Sequence, residues 1–177
     1  MTKYTAKTFP IKDVLQVILQ AVRELAAYYA TWYHKFGQSK WHMAWETWYQ
    51  YESQTPNVNN HEAASLLLTN ANGAYCNRPD ELTCNAPEWA TVHYLNRQFS
   101  KKNYLSVRNE YFNDMKGQRT GFKTKYTEHM VSWNHWIGSN VLFRPELRYD
   151  IAYDAPAYDS GLKKSQLMFA ADVIWFY

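Results

Sequence analysis

Residues 141–153 read VLFRPELRYDIAY, and this stretch decides the fold class. Val141, Phe143, Leu147, Tyr149, Ile151 and Tyr153 fall on one side of a period of two, and Arg144, Glu146, Arg148 and Asp150 on the other. Side chains of an extended strand alternate between faces, so such a segment makes one apolar and one charged face. Pro145 falls on the apolar side and lacks a ladder donor, which argues against a central strand at that point. The last segment, SQLMFAADVIWFY (165–177), alternates too. Leu167, Phe169, Ala171, Val173, Trp175 and Tyr177 face one way, and Gln166, Met168, Ala170, Asp172, Ile174 and Phe176 the other.

The same period runs through most of the chain. AYYATWYHKF (27–36) reads as a strand. WHMAWETWYQYE (41–52) sets Trp41, Met43, Trp45, Thr47, Tyr49 and Tyr51 against His42, Ala44, Glu46, Trp48, Gln50 and Glu52. EWATVHYLNRQF, YLSVRNEYFND and GFKTKYTEHMVSWNHW supply further strands, giving about seven. Connections alternate in length: short at 37–40, 100–103 and 137–140, longer at 53–86, 114–121 and 154–164. Within the longest, HEAASLL (61–67) reads as a short helix. Short turns at one end and long loops at the other are the arrangement of outer-membrane barrels. The expected fold is all-β: part of an antiparallel up-and-down transmembrane β-barrel over residues 26–177.

Residues 1–25 differ. Ile11, Val14, Leu15, Val17, Ile18, Leu19, Ala21, Val22 and Leu25 recur at steps of three and four, with Pro10 near the start, which fits an amphipathic N-terminal helix. The segment is also compatible with a strand region whose period is hidden, or with non-native sequence at a truncated end. It lacks the pattern of a signal peptide, so an exported protein would begin further upstream.

Composition agrees with alternation. Aromatics are 18% of the 177 residues, with 15 Tyr and 8 Trp, yet the mean hydropathy is −0.59. A net charge of +3 without a basic run gives no footprint for nucleic acid. No apolar run is long enough for a membrane helix, which says nothing against a barrel. Dispersed histidines, no HExxH, no G-x-S-x-G and no glycine-rich phosphate loop leave no catalytic set, no metal site and no cofactor to expect. Cys76 and Cys84, in polar loop-like surroundings, read as a loop disulfide.

The second half resembles the putative β-barrel porin-2 (OmpL-like) family. The resemblance rests on EWATVHYL, on RNEYFNDMKGQRTGFKTKYTEH, and on FRPELRYDIAYDAPAYDSG with the terminal strand after it. It extends less closely to 27–52 and not to 1–25. It implies a C-terminal barrel portion with more strands upstream, in the outer membrane, passing small hydrophilic solutes.

In such a barrel the outward face would carry Leu105, Val107, Tyr111, Phe143, Leu147, Tyr149, Ile151, Leu167, Phe169, Val173, Trp175 and Tyr177. Trp41, Trp133, Tyr153, Trp175 and Tyr177 would stand in the aromatic girdles. Phe169, Val173, Trp175 and Tyr177, ending on a terminal aromatic, resemble the signal read by the barrel assembly machinery. Arg108, Glu110, Glu128, Arg144, Glu146, Arg148, Asp150 and Asp172 would line the pore. Outer-membrane lipid is the expected surrounding, and a homo-oligomer is left open. Two other readings stay open: a soluble aromatic-rich all-β binding module, and a structural barrel without transport.

Overall fold

The computed structural model describes residues 25–37, 40–64 and 72–177. The helix read over 11–25 lies outside the described residues, apart from Leu25, which opens a strand. Seven strands form one sheet in sequence order: β1 (Leu25–Lys35), β2 (Trp41–Pro56), β3 (Thr83–Gln98), β4 (Asn103–Asp114), β5 (Thr124–Ile137), β6 (Val141–Ala152) and β7 (Ser165–Trp175). Every neighbouring pair is antiparallel. One short helix, α1 (His61–Ala64), lies in the longest connection. Asn60 caps it, its side-chain oxygen accepting from the Glu62 and Ala63 amides at 3.0 and 3.2 Å.

The shortest strands have 11 residues. At about 3.3 Å per residue and a tilt of about 40°, that length rises about 28 Å, enough for an apolar band about 25 Å tall. Among the described residues the sheet is not closed: β1 pairs only with β2, and β7 only with β6. In an up-and-down sheet of seven strands the first and last run in the same direction, so β1 and β7 cannot complete an antiparallel ring with each other.

The two faces differ sharply. Every buried residue between Ala86 and Ala152 in β3 to β6 lies on one face, including Ala90, Val92, Ser106, Met130, Ser132, Asn134, Leu142 and Asp150. The ladder registers place these side by side, as in Ser106↔Ser132 and Glu128↔Asp150. The opposite face carries exposed Tyr28, Trp32, Trp45, Leu95, Val131, Leu147, Phe169 and Val173. Burial confined to one side of a single-layer sheet marks that side as concave, where side chains converge. The strand residues expected to face lipid lie on the convex side, where Trp41, Trp133, Tyr153 and Trp175 are exposed; Tyr177, beyond the end of β7, is exposed as well.

Two sequence expectations change. The long connection spans 57–82 rather than 53–86, because β2 runs on to Pro56 and β3 starts at Thr83. A bulge permits this: the register slips between Glu52 and Thr55, and Gln54 takes a left-handed φ of 54°. Cys84 therefore stands in β3, and only Cys76 is in the loop; the two are joined by a disulfide. Pro145 does sit in a strand paired on both sides. The β5–β6 ladder steps from Ser132↔Glu146 to His135↔Phe143, so Trp133 and Asn134 lose their pairing where proline has no N–H to give. The β7 side, Pro145↔Ala171, is unbroken.

The long loop is tied to its neighbour. Tyr75 donates its amide to the Lys116 carbonyl at 2.8 Å. Gly117 has φ 71°, and a Cβ there would meet the Lys123 nitrogen at 2.8 Å and a Tyr75 ring carbon at 3.0 Å. Gly117→Ala is expected to loosen both loops at a cost of about 1–3 kcal/mol, visible as faster proteolysis within 57–82 and 115–123. Free-thiol labelling of unreduced, denatured protein should modify neither cysteine; modification of both would contradict the disulfide. Leu147→Arg should cost about 2–4 kcal/mol in a lipid refolding equilibrium, whereas Glu146→Arg, one residue away on the concave face, should cost less than half of that.

Candidate functional site

Charge sorts by face. On the concave side of the described strands stand Glu46, Glu52, Glu88, Glu110, Asp114, Glu128, Glu146, Asp150 and Asp172, against Lys35, Arg108, Arg144 and Arg148. On the convex side of the seven strands the described Lys, Arg, Asp and Glu reduce to Arg97 and Lys125, both next to strand ends. Arg97 lies over the Trp41 and Phe99 rings at 5.1 and 5.0 Å. Lys125 pairs with Asp154 at 3.5 Å. All eight residues predicted to line a pore are on the concave face. The chain is net positive, yet this wall is acidic by about two to one.

Lateral neighbours on the wall form rows. Glu110, Glu128 and Asp150 stand side by side across β4, β5 and β6. Like charges so placed repel. The next row, two residues along, supplies compensation through Arg108 and Arg148, which flank Met130. Glu128 bridges them. It accepts from Arg108 Nε at 2.7 Å and from the same guanidinium's Nη2, and its other oxygen lies 3.4 Å from Arg148 Nη1. Arg148 Nε is 3.3 Å from Asp150 Oδ2, which also accepts from Gln166 Nε2 at 2.6 Å. Nearer the short turns, Arg144 and Asp172 form a two-bond pair across β6 and β7, at 3.1 and 2.5 Å.

Two loops fold toward this wall at the long-loop end. Asp114 Oδ2 accepts from the Arg119 amide (3.1 Å), the Thr120 amide (2.8 Å) and the Thr120 hydroxyl (2.9 Å), which cinches 115–123. Arg119 then reaches Glu88 at 3.2 Å and lies over the Trp48 ring at 5.5 Å. Thr124 Oγ1 accepts from the Asp154 and Ala155 amides at 2.8 and 3.2 Å, turning 153–164 the same way. That second loop carries Tyr158, whose ring meets Tyr126 edge-on at 6.2 Å, and Tyr126 stacks on Phe112 at 5.7 Å. Burial first, then the nearby Asp150 carboxylate, pushes the Tyr158 phenol up, so it stays protonated and able to donate. Phe112, Tyr126 and Tyr158 line an open pocket of about 260 Å³ with Glu110, Thr120, Glu128, Arg148, Asp150 and Gln166.

Sequence reasoning missed Tyr158, Arg119 and Asp114 as wall residues. Tyr158 and Arg119 lie in loops, where no period marks direction. Asp114 sits at a strand end, and its role depends on Thr120, which only the folded loop brings near. The convex face also holds polar groups that simple alternation does not anticipate. His129 and Asn109 hydrogen-bond at 2.8 Å, and Trp45 donates to Thr91 at 2.5 Å, so these groups satisfy one another. Among the described residues no group of His, Cys, Asp and Glu is placed to hold a metal ion.

An open-sided barrel wall, apolar outside and charged inside, defines the class: a porin-type β-barrel. The chain belongs to the family described as putative beta-barrel porin-2, OmpL-like, whose model matches residues 18–176. No curated protein and no solved structure matches it.

Removing Glu128 leaves Arg108 and Arg148 facing each other without the carboxylate between them. Glu128→Gln should lower stability by about 1–3 kcal/mol in urea unfolding from detergent micelles, and Arg108→Met in the same background should recover part of that loss.

Proposed function

We propose that the chain forms part of the wall of an outer-membrane pore through which small hydrophilic solutes diffuse, with a preference for cations. One observation carries this reading: apart from Arg97 and Lys125 next to strand ends, the described Lys, Arg, Asp and Glu side chains of the strands lie on the concave face. A charge turned to mid-depth lipid costs about 2–4 kcal/mol for Arg, so this sorting fits a wet interior and a lipid exterior. A soluble binding module would instead leave Trp32, Trp45, Leu147, Phe169 and Val173 in water on one broad face. Hydrocarbon cannot satisfy the edges of β1 and β7, so the proposed barrel is closed by further strands N-terminal to residue 25. Strand β7, with Phe169, Val173 and Trp175 on its convex face and Tyr177 just beyond its end, serves in this reading as the segment recognised by the barrel assembly machinery.

Carboxylate-lined walls favour cations. Protein reconstituted in planar bilayers should give ohmic steps and, in a KCl gradient, a reversal potential showing K⁺ preferred over Cl⁻ by about twofold or more. Bilayers that stay silent while the protein is inserted would contradict the pore and favour a structural barrel. A Cl⁻ preference would contradict the acidic wall as the selecting element.

A further inference from the structure

The convex face is not uniform. On β6 and β7 between the strand ends it carries Phe143, Leu147, Phe169 and Val173, and Tyr149 is the only side chain with a polar atom among the described residues there. On β3, β4 and β5 the same face carries His93, Asn109 and His129 side by side, in register His93↔Asn109 and Asn109↔His129. All three are exposed. The row stands midway along its ladders, which run from Glu88↔Asp114 to Gln98↔Tyr104 and from Asn103↔His135 to Asp114↔Thr124. The 2.8 Å bond between Asn109 Oδ1 and His129 Nδ1 occupies one polar atom of each. An amide oxygen only accepts, so Nδ1 carries the hydrogen and Nε2 is left as an acceptor, while Asn109 Nδ2 is left as a donor. Neither atom has a hydrogen-bond partner among the described residues. Hydrocarbon at mid-span satisfies neither.

We propose that this row is the centre of an interface with a second copy of this chain, related to the first by a two-fold axis along the membrane normal. The inference rests on the membrane setting proposed above and not on conduction. Two copies inserted in the same sense present the same row at the same depth. A two-fold axis beside β4 and β5 sets β4 of one copy opposite β5 of the other, so Asn109 faces the partner's His129, and His129 faces the partner's Asn109. The free amide donor of one copy then meets the free ring acceptor of the other, twice, and both unfilled atoms are used. An acyl chain offers neither group. A second copy carries both, in the right order and at the right depth. Polar side chains that bond across a contact are a recurrent means of joining membrane-embedded surfaces. Leu95 and Val131, exposed on the next row of the same face, add apolar contact beside the pair.

The test is energy transfer between donor- and acceptor-labelled copies of the full-length protein, refolded into phosphatidylcholine vesicles at falling protein-to-lipid ratio. Saturable pairing, two copies to a complex, is expected. Asn109→Leu and His129→Leu should each weaken it about tenfold, because either one removes both symmetry-related hydrogen bonds. The double variant should be no weaker than the single ones, since nothing is left for the second substitution to remove. All three should keep the heat-dependent shift in gel mobility that reports a folded barrel, and Phe169→Leu, on the apolar part of the face, should leave pairing unchanged. On oxidation, Asn109→Cys protein mixed with His129→Cys protein should cross-link between chains more than Phe169→Cys protein does with itself. Copies that stay apart, pairing unchanged in all three leucine variants, or complexes of three copies would overturn the proposal. Bilayer conductance separates the two readings. Paired copies that stay silent would support the interface and remove the pore, whereas conducting single copies would overturn the interface and leave the pore.

Discussion

A hydrocarbon surrounding has no partner for a bare charge or for an unpaired peptide group, and in the proposed outer-membrane setting the arrangement of this chain follows from that constraint. It accounts for strands rather than loops across the span, for ladders interrupted only at Pro145 and at the bulge near Gln54 among the described residues, and for the placement of Arg97 and Lys125 next to strand ends. It also accounts for the polar pairs on the convex face. Asn109 with His129, and Trp45 with Thr91, hydrogen-bond each other on the face that in the proposed setting meets lipid.

Once charges are driven to the concave face, they must coexist there. Three carboxylates in one row would repel, and the adjacent row answers with two arginines bridged through Glu128. The result is a braced wall, acidic on balance, in which, among the described residues, one donor (Arg148 Nε) and two acceptors (Glu88 Oε2 and Asp150 Oδ1) lack a hydrogen-bond partner. The loops at the long end are drawn over this wall by side chains at its rim, Asp114 and Thr124, rather than by an apolar core of their own. Bracing and loop placement thus come from the same face that the proposed solute would pass.

Much of this was legible in the sequence because a period of two assigns every strand residue to a face. The stretch around Phe143 to Ile151 and the run from Leu167 to Trp175 gave face, strand length and the alternation of short and long connections without a structure. Where the period fails, the reading failed with it. The bulge at Gln54 moved the start of the long loop, and a bulge carries no residue type unique to it. Pro145 argued against a central strand, yet its cost fell on one ladder only. Tyr158 and Arg119 reach the wall from loops, so no pattern could place them. The acidity of the wall was hidden by a net charge of +3, since lysines in turns and loops mask the carboxylates of the strands.

The most direct test of the two-faced wall uses neighbouring positions on β7. In a background with Cys76 and Cys84 changed to Ser, Met168→Cys and Phe169→Cys are inserted into vesicles and exposed to a charged, membrane-impermeant thiol reagent. The account predicts that the Met168→Cys variant reacts and the Phe169→Cys variant is protected. Equal reaction at both, or protection at 168 with reaction at 169, would contradict it.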